Sequence, residues 1–264
     1  MAIHSSAEIH SSAVVEPGAV IGPDCRIGPF ALIGPEVRLA AGVEVKSHAV
    51  VTGQTEIGEG TVVFPFAVLG EVPQDLKFKG ETTRLVIGAR NRIREHVTMN
   101  TGTAGGGGVT RVGDDGLFMA GCHVAHDCQI GDRVILVNGS AVAGHCVIED
   151  DVIVGGMSGI HQWVRIGRGA IIGAVTMVTA DVIPHGLVQG PRGSLDGLNL
   201  VGLKRRGVDK AEIAALRDLY MVLSEGNFRE TARRLADEGA DSNYVREVLD
   251  FILGPSDRSF LTPR

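Results

Sequence analysis

The fold is decided by a short stretch near the N-terminus, Ile21-Gly22-Pro23-Asp24-Cys25-Arg26-Ile27-Gly28-Pro29-Phe30-Ala31-Leu32-Ile33. An aliphatic residue recurs at every sixth position, and the residue four places after it is small. A period of six fits neither an α-helix nor a hairpin array, but it fits short strands joined by tight turns. The aliphatic and the small residues then both point into one narrow core.

The same period extends along most of the chain in two runs. The first begins at Ile3 and reaches Leu69, the phase returns at Ile87, and the second runs from Val112 to Val178. The interruptions lie near residues 70–86 and 101–111. Three strands per coil predict a triangular prism whose coils stack at strand spacing, about 4.8 Å. We therefore expect a parallel β-helix over residues 1–190.

Residues 191–264 show a different pattern, which predicts a C-terminal α-helical domain. The segment Asp209-Lys210-Ala211-Glu212 has the spacing of a capping box, and an apolar stripe follows it. Two more helices are expected near residues 228–236 and 243–253, the last one stopped by Gly254-Pro255. The fold class is thus an all-β prism of hexapeptide repeats plus helices.

Composition narrows the classes of function. The net charge of −6 disfavours a nucleic-acid binder, which needs a basic face. No apolar run is long enough to span a membrane, and the first residues lack the features of an export signal, so we expect a cytoplasmic protein. The cysteines all fall on the small-residue core position, which predicts buried thiols rather than disulfides or a metal site: Cys25, Cys122, Cys128 and Cys146.

Histidines cluster in three successive coils of the second run, at positions that should face outward from the core: His123, His126, His145 and His161. Gly144 and Gln162 follow His126 at intervals of eighteen residues, so these three should form a ladder on one edge. Histidine suits a general base near neutral pH, and a glycine N–H can approach a developing oxyanion. The chain has neither a nucleophile elbow nor an outward cysteine. The pattern favours direct acyl transfer to a hydroxyl.

Several segments resemble the UDP-N-acetylglucosamine O-acyltransferases, a family of hexapeptide-repeat transferases that begins lipid A synthesis. They are Gly70-Glu71-Val72-Pro73-Gln74-Asp75-Leu76-Lys77, Ile93-Arg94-Glu95, His123-Val124-Ala125-His126-Asp127-Cys128, Gly155-Gly156-Met157, Ile160-His161-Gln162 and Gly202-Leu203-Lys204-Arg205-Arg206-Gly207. The resemblance spans essentially the whole chain. It also implies that the prism winds left-handed, which the spacing does not reveal.

The resemblance implies a role for each matching residue. His126 takes the proton from the sugar 3-hydroxyl, Asp127 orients His126, and the Gly144 N–H polarises the thioester carbonyl. The implied substrate-binding residues are Gln74, Asp75, Lys77, Asn100, His123, His145, His161, Gln162, Asn199, Arg205 and Arg206. The acyl donor is a 3-hydroxyacyl chain on acyl carrier protein, and no metal or soluble cofactor is required. Family members are homotrimers with sites between neighbouring prisms.

These motifs do not determine which acceptor group and which acyl-chain length the protein prefers. Asn100 stands where the family commonly has histidine, which leaves a 3-amino sugar nucleotide open as the acceptor. Ala174 and Met177 are expected to limit the acyl-chain length. The acidic carrier protein is expected to land on basic residues near the C-terminus: Lys204, Arg205, Arg206, Arg229, Arg233 and Arg234. The last three arginines are explained equally well as ordinary charged residues on the solvent-exposed face of a helix.

Three other interpretations stay open at this point. The related N-acyltransferase of the same pathway normally carries an extra N-terminal domain, for which a repeat that starts at Ile3 leaves no room. A zinc carbonic anhydrase-like hexapeptide protein would use His123, His126 and His145 as ligands, but would leave the basic Lys204-Arg205-Arg206 segment without a role. A prism serving only as a scaffold would not need an outward histidine cluster.

Overall fold

The computed structural model describes residues 2–256 and 258–262 of the chain. Its first strands are β1 (Ala2–Ile3), β2 (Glu8–Ile9), β3 (Val14–Val15), β4 (Val20–Ile21), β5 (Arg26–Ile27), β6 (Leu32–Ile33), β7 (Arg38–Leu39), β8 (Glu44–Val45), β9 (Val50–Val51), β10 (Gln54–Ile57), β11 (Val62–Val63), β12 (Val68–Glu71), β13 (Arg84–Ile87), β14 (Arg92–Ile93) and β15 (Thr98–Asn100). A short 3-10 helix, Ala104–Gly106, follows. The remaining strands are β16 (Val109–Val112), β17 (Leu117–Phe118), β18 (His123–Val124), β19 (Gln129–Ile130), β20 (Ile135–Leu136), β21 (Ala141–Val142), β22 (Val147–Ile148), β23 (Ile153–Val154), β24 (Gly159–Ile160), β25 (Arg165–Ile166), β26 (Ile171–Ile172), β27 (Met177–Val178), β28 (Gly186–Gln189) and β29 (Ser194–Leu198).

The strands form three sheets, one on each face of a triangular prism. Sheet A has the order β1-β4-β7-β10-β13-β16-β19-β22-β25, sheet B the order β2-β5-β8-β11-β14-β17-β20-β23-β26-β28-β29, and sheet C the order β3-β6-β9-β12-β15-β18-β21-β24-β27. Each strand pairs in parallel with the strand one coil away, as in Ile135↔Ile153. The terminal β28–β29 hairpin is antiparallel. Its second strand ends at Leu198, past the expected domain boundary at residue 190.

Stacked turns form the three edges of the prism. Residues 125–127, 143–145 and 161–163 lead from sheet C to sheet A, and we call this column the CA edge. Residues 149–151, 167–169 and 183–185 lead from sheet A to sheet B and form the AB edge. Successive CA turns place Asp127, His145 and Trp163 at φ angles of 60°, 63° and 66°. Side chains that stand on neighbouring coils at one edge are therefore stacked neighbours.

The core consists of the two repeat positions that the sequence predicted. Aliphatic residues such as Ile33 and Leu136 and small residues such as Ala31 and Ser140 are completely buried. All four cysteines are buried core residues with free thiols, and their burial was predicted. Burial raises the pKa of Cys25 and of Cys122, which keeps both thiols protonated and inert at neutral pH.

The C-terminal domain contains α1 (Leu200–Arg205), α2 (Lys210–Ser224), α3 (Phe228–Glu238) and α4 (Asn243–Leu253). The last three were predicted, whereas α1 is too short to show a helical period. The predicted capping box is wrong: Asp209 precedes α2, but its side chain makes no capping bond. The Glu212 carboxylate instead accepts a hydrogen bond from Ser242, the residue that caps α4. Among the described residues, no helix is both long and apolar enough to cross a membrane.

Candidate active site

A buried histidine–aspartate pair lies on the CA edge. His126 Nδ1 donates to Asp127 Oδ2 over 2.9 Å, and the side chains are only 5% and 1% exposed. His126 lies outside the prism core, as its position predicted, yet it is not a surface residue because neighbouring groups pack around the pair. With Nδ1 bound to the carboxylate as a donor, Nε2 is the ring nitrogen available to accept a proton.

The loop at residues 101–108 closes over the carboxylate. The Thr103 N–H donates to Asp127 Oδ1 over 2.8 Å, and the Thr103 hydroxyl donates to Oδ2 over 2.6 Å. The backbone N–H of Asp127 donates to the hydroxyl of Thr110, a residue of β16, over 2.8 Å. Neither threonine was identified from the sequence, although the interruption of the repeat near residues 101–111 marked the segment. The carboxylate thus accepts one hydrogen bond at Oδ1 and two at Oδ2, which fix its position.

Gly144 lies directly against the His126 ring. A Cβ atom at this position would lie 2.5 Å from His126 Cε1 and 2.6 Å from Nε2, so any side chain there collides with the imidazole. Among the described residues, no group accepts a hydrogen bond from the Gly144 N–H. Other coils of the CA edge place proline at this turn position, as in Pro17 and Pro35, because the prism needs no donor there. Glycine in this place lets the backbone lie directly beside the imidazole without a side chain that would displace the ring.

His145 and Trp163 continue the column. The His145 ring stacks on the indole of Trp163 with centroids 3.8 Å apart and meets the His126 ring edge-on at 4.9 Å. His145 Nδ1 lies 3.7 Å from Asp127 Oδ2. Burial lowers the pKa of His145 and outweighs the opposing effect of the Asp127 charge. Trp163, the only tryptophan in the chain, was not identified from the sequence because the repeat gives it an ordinary turn position.

The other predicted substrate residues around this edge differ in their surroundings. Burial lowers the pKa of His123, which shares a 2.8 Å hydrogen bond with the Thr98 hydroxyl. The Asn100 amide donates to the carbonyls of Glu71 and Val72, and its buried Oδ1 has no partner among the described groups. His161 and Gln162 are exposed.

The loop after β12 contributes charge to this edge. Gln74 and Lys77 are exposed, and Asp75 is half-buried. The charges of Asp75 and Lys77 both act on His145, in opposite directions. The first interruption of the repeat therefore reaches the same site as the histidines.

A strip of small residues runs along sheet C from His123. The outward positions of successive strands are His123, Ala141, Gly159 and Met177, in register with one another. A Cβ atom at Gly159 would lie 2.9 Å from Met177 Cε, so the methionine side chain folds over the glycine. Ala174 is exposed in the preceding turn. The strip is open near His123 and obstructed at Met177.

The predicted nucleotide-binding residues lie on a different edge of the prism. Asn199 Nδ2 donates to the Gly169 carbonyl on the AB edge over 2.9 Å, and its Oδ1 accepts from the Gly202 N–H at the start of α1. Arg206 lies at the same edge, 3.3 Å from His185 Nδ1, and Arg205 is exposed. Within one chain, these residues do not meet His126.

The larger cavities of the chain also lie away from His126. A cavity of about 980 Å³ separates sheet A from α4 and is lined by groups such as Glu149 and Arg246.

The side chains of His126, Asp127 and His145 form a group whose potential metal-ligand atoms lie within 4.8 Å of one another. This is not the three-histidine set that a carbonic anhydrase-like site would use, because Asp127 takes the place of His123. The Asp127 carboxylate already accepts three hydrogen bonds. The arrangement resembles a base held by a carboxylate more than a vacant ligand set.

Comparison with known proteins decides the family. The sequence profile described as "Udp N-acetylglucosamine O-acyltransferase; Domain 2" matches residues 181–261, and a bacterial transferase hexapeptide profile matches residues 2–35. An acyl-(acyl-carrier-protein)–UDP-N-acetylglucosamine O-acyltransferase from Paracoccus denitrificans is 74% identical over 202 residues, which cover 76% of this chain and 77% of the relative. The chain belongs to the UDP-N-acetylglucosamine O-acyltransferase family.

Other members of this O-acyltransferase family agree in sequence and in fold. The relative from Caulobacter vibrioides is 52% identical, with 86% of this chain and 88% of the relative covered. The UDP-N-acetylglucosamine acyltransferase structure from Campylobacter jejuni has a TM-score of 0.92 at 38% identity, covering 97% of this chain and 100% of that one. The predicted fold, a left-handed parallel β-helix with C-terminal helices, is confirmed, and the carbonic anhydrase and scaffold interpretations are wrong.

Proposed function

We propose that the protein transfers a 3-hydroxyacyl chain from acyl carrier protein to the 3-hydroxyl of UDP-N-acetylglucosamine, the first step of lipid A synthesis, in the cytoplasm. The observation that carries this proposal is the His126–Asp127 pair, buried on the CA edge beside the N–H of Gly144, for which the described residues provide no acceptor. A relative named as an acyl-(acyl-carrier-protein)–UDP-N-acetylglucosamine O-acyltransferase is 74% identical over 202 residues. In this proposal the base and the oxyanion donor lie side by side, because Gly144 packs against the His126 ring.

In the proposed reaction, His126 Nε2 takes the proton of the sugar hydroxyl while that oxygen attacks the thioester carbon. Asp127 holds Nδ1–H and stabilises the imidazolium that forms. The Gly144 N–H donates to the carbonyl oxygen as its negative charge develops. Collapse of the tetrahedral intermediate breaks the C–S bond, and the proton on His126 passes to the leaving thiolate.

The acyl chain is proposed to lie along the small-residue strip of sheet C. Ala141 and Gly159 leave room for methylene groups, and Met177 closes the far end. An apolar groove that ends at a bulky side chain favours chains that fill it without overrunning it. In this arrangement Met177 is the main determinant of chain length, and Ala174 contributes from the neighbouring turn.

A homotrimer is proposed to complete the site. Asn199 and Arg206 lie on the AB edge, away from His126. In the proposed three-fold arrangement, the AB edge of one chain would face the CA edge of the next. Arg205 and Arg206 would then contact the nucleotide phosphates from across the interface. Mixing two inactive variants, His126→Ala and Arg206→Ala, should restore activity, because mixed trimers contain some intact sites. Mixtures as inactive as either variant alone would contradict a shared site.

The carrier protein is proposed to dock at the exposed Lys204-Arg205-Arg206 segment. Two arginines of α3 already have partners within the chain. Arg234 pairs with Glu238 at 2.8 Å, and Arg229 donates to the Gly254 carbonyl. The reaction itself is tested by an assay with UDP-N-acetylglucosamine and 3-hydroxyacyl carrier proteins of several lengths, repeated with the 3-amino sugar nucleotide. Faster transfer to the hydroxyl acceptor is expected, and a preference for the amine would overturn that assignment.

A further inference from the structure

The C-terminal tail folds back onto the last coil of the prism. The Asp181 N–H donates to the Ser259 carbonyl, and the Leu261 N–H donates to the Asp181 carbonyl, both over 2.8 Å. These bonds form a parallel bridge between Asp181 and Phe260. Because Ile166 bridges Val182 in the same way, the tail adds a last rung beyond β25 at the end of sheet A.

A buried ion pair anchors this tail. Asp181 is fully buried and accepts hydrogen bonds from Arg165 Nε over 2.8 Å and from the Ser256 hydroxyl over 2.6 Å. The Arg165 guanidinium also donates to the Phe251 carbonyl and lies 4.4 Å from the Phe251 ring centroid. A charged pair that is also hydrogen-bonded to neighbouring groups restricts the geometry of those groups. The tail position is therefore defined by specific contacts.

The anchored tail places Arg258 against the CA edge. Its Nε donates to the Gln162 carbonyl over 3.1 Å, and its Nη2 lies 2.8 Å from His161 Nδ1. These two residues belong to the turn that stacks on Gly144 and His145, two coils from His126, or about 10 Å at strand spacing. In the part of the chain that the structure describes, no carboxylate lies within ion-pair distance of Arg258.

We propose that Arg258 is a substrate-binding residue of this site and that its guanidinium takes a phosphate ester. Two of its five N–H donors are used by Gln162 and His161, so three are left for an anion. The inference rests on the proposed function, because that places the substrates at this edge. In the proposed acyl transfer, two substrates could present a phosphate group at the CA edge. These are the nucleotide sugar, through its diphosphate, and the carrier protein, through its phosphopantetheine arm.

The test measures binding of each source separately with the full-length chain. Calorimetry with UDP-N-acetylglucosamine, and separately with phosphopantetheine, is carried out on wild type, Arg258→Ala and Arg258→Lys. We expect Arg258→Ala to weaken one of the two by about tenfold or more, as for a lost charge-assisted hydrogen bond, and Arg258→Lys to keep part of the affinity. In turnover assays, KM for that same substrate rises while kcat changes little.

Controls separate this role from a structural one. Arg38→Ala removes an exposed arginine of β7 and should leave both affinities unchanged. A purely structural role for Arg258 would lower the thermal midpoint and weaken both ligands together, which would contradict the proposal, as would affinities within twofold of wild type. The base is tested independently: an active His126→Ala variant would overturn the proposed mechanism and leave a selective loss of phosphate binding in Arg258→Ala standing.

Discussion

Asp127 holds the imidazole of His126 through a 2.9 Å hydrogen bond from Nδ1, and Thr103 donates to both oxygens of the same carboxylate. The carboxylate therefore determines which ring nitrogen carries the proton. The proton stays on Nδ1, facing Asp127, and Nε2 is left as the acceptor.

Asp127→Asn tests this relationship with little change of shape. Asparagine tolerates the positive φ of 60° at this position, but its amide would donate to Nδ1 and move the ring proton to Nε2. We expect kcat to fall by about 10²- to 10⁴-fold, the range for loss of an acid–base group. Asp24→Asn, at an exposed turn with φ of 56°, is the matched control and should be fully active. An Asp127→Asn enzyme within threefold of wild type would contradict the orienting role.

The glycine loop over Asp127 gives a second test with a neighbouring control. A Cβ atom at Gly106 would lie 2.1 Å from Asp127 Cγ, whereas one at Gly105 would have no atom within 4 Å. Gly106→Ala should therefore displace the carboxylate and lower kcat by about tenfold or more, since misplacement of a catalytic group is costly. Gly105→Ala should behave as wild type in the same assay. Equal rates for the two variants would show that the loop does not position Asp127.

These contacts show what the sequence can and cannot predict. The six-residue period determines the coils, and coil stacking alone places His126, Gly144 and Gln162 in one column. Thr103, Trp163 and Arg258 were not predicted, because their contacts depend on how a loop or a tail folds back. The Asn199 amide shows a third limit: a residue expected to reach the nucleotide also caps α1, which depends on where that helix begins.

Met177 is expected to set acyl-chain length. Met177→Ala removes the side chain that folds over Gly159 and lengthens the open strip on sheet C. Each additional pair of buried methylenes is worth about 1.6 kcal/mol, so kcat/KM for a donor two carbons longer should rise about tenfold relative to the native donor. A competition assay with mixed donors measures this ratio directly. Val14→Ala, an exposed residue of β3, serves as control, and an unchanged ratio for Met177→Ala would exclude the role.

The pH dependence of stability follows from two half-buried histidines. Burial lowers the pKa of both His123 and His145, whereas the unfolded chain titrates near about 6.5. The unfolded state then binds more protons, so the free energy of unfolding is fully retained above about pH 6.5 and falls as the pH drops toward the lowered folded values. His123→Gln should make this decline shallower in denaturant titrations, and the exposed His10→Gln should not. If the free energy of unfolding fell equally steeply with decreasing pH in His123→Gln and in wild type, the lowered pKa of His123 could not be a cause of the decline.

His126 is proposed to remove the proton of the acceptor hydroxyl, and the most direct test of this role is the turnover rate of His126→Ala. The measurement is kcat at saturating UDP-N-acetylglucosamine and saturating 3-hydroxyacyl carrier protein, with the unfolding midpoint determined on the same preparation. The exposed His10→Ala is the control. We predict a fall in kcat of about 10²- to 10⁴-fold in a protein that stays folded. A folded His126→Ala enzyme with kcat within threefold of wild type would contradict the claim.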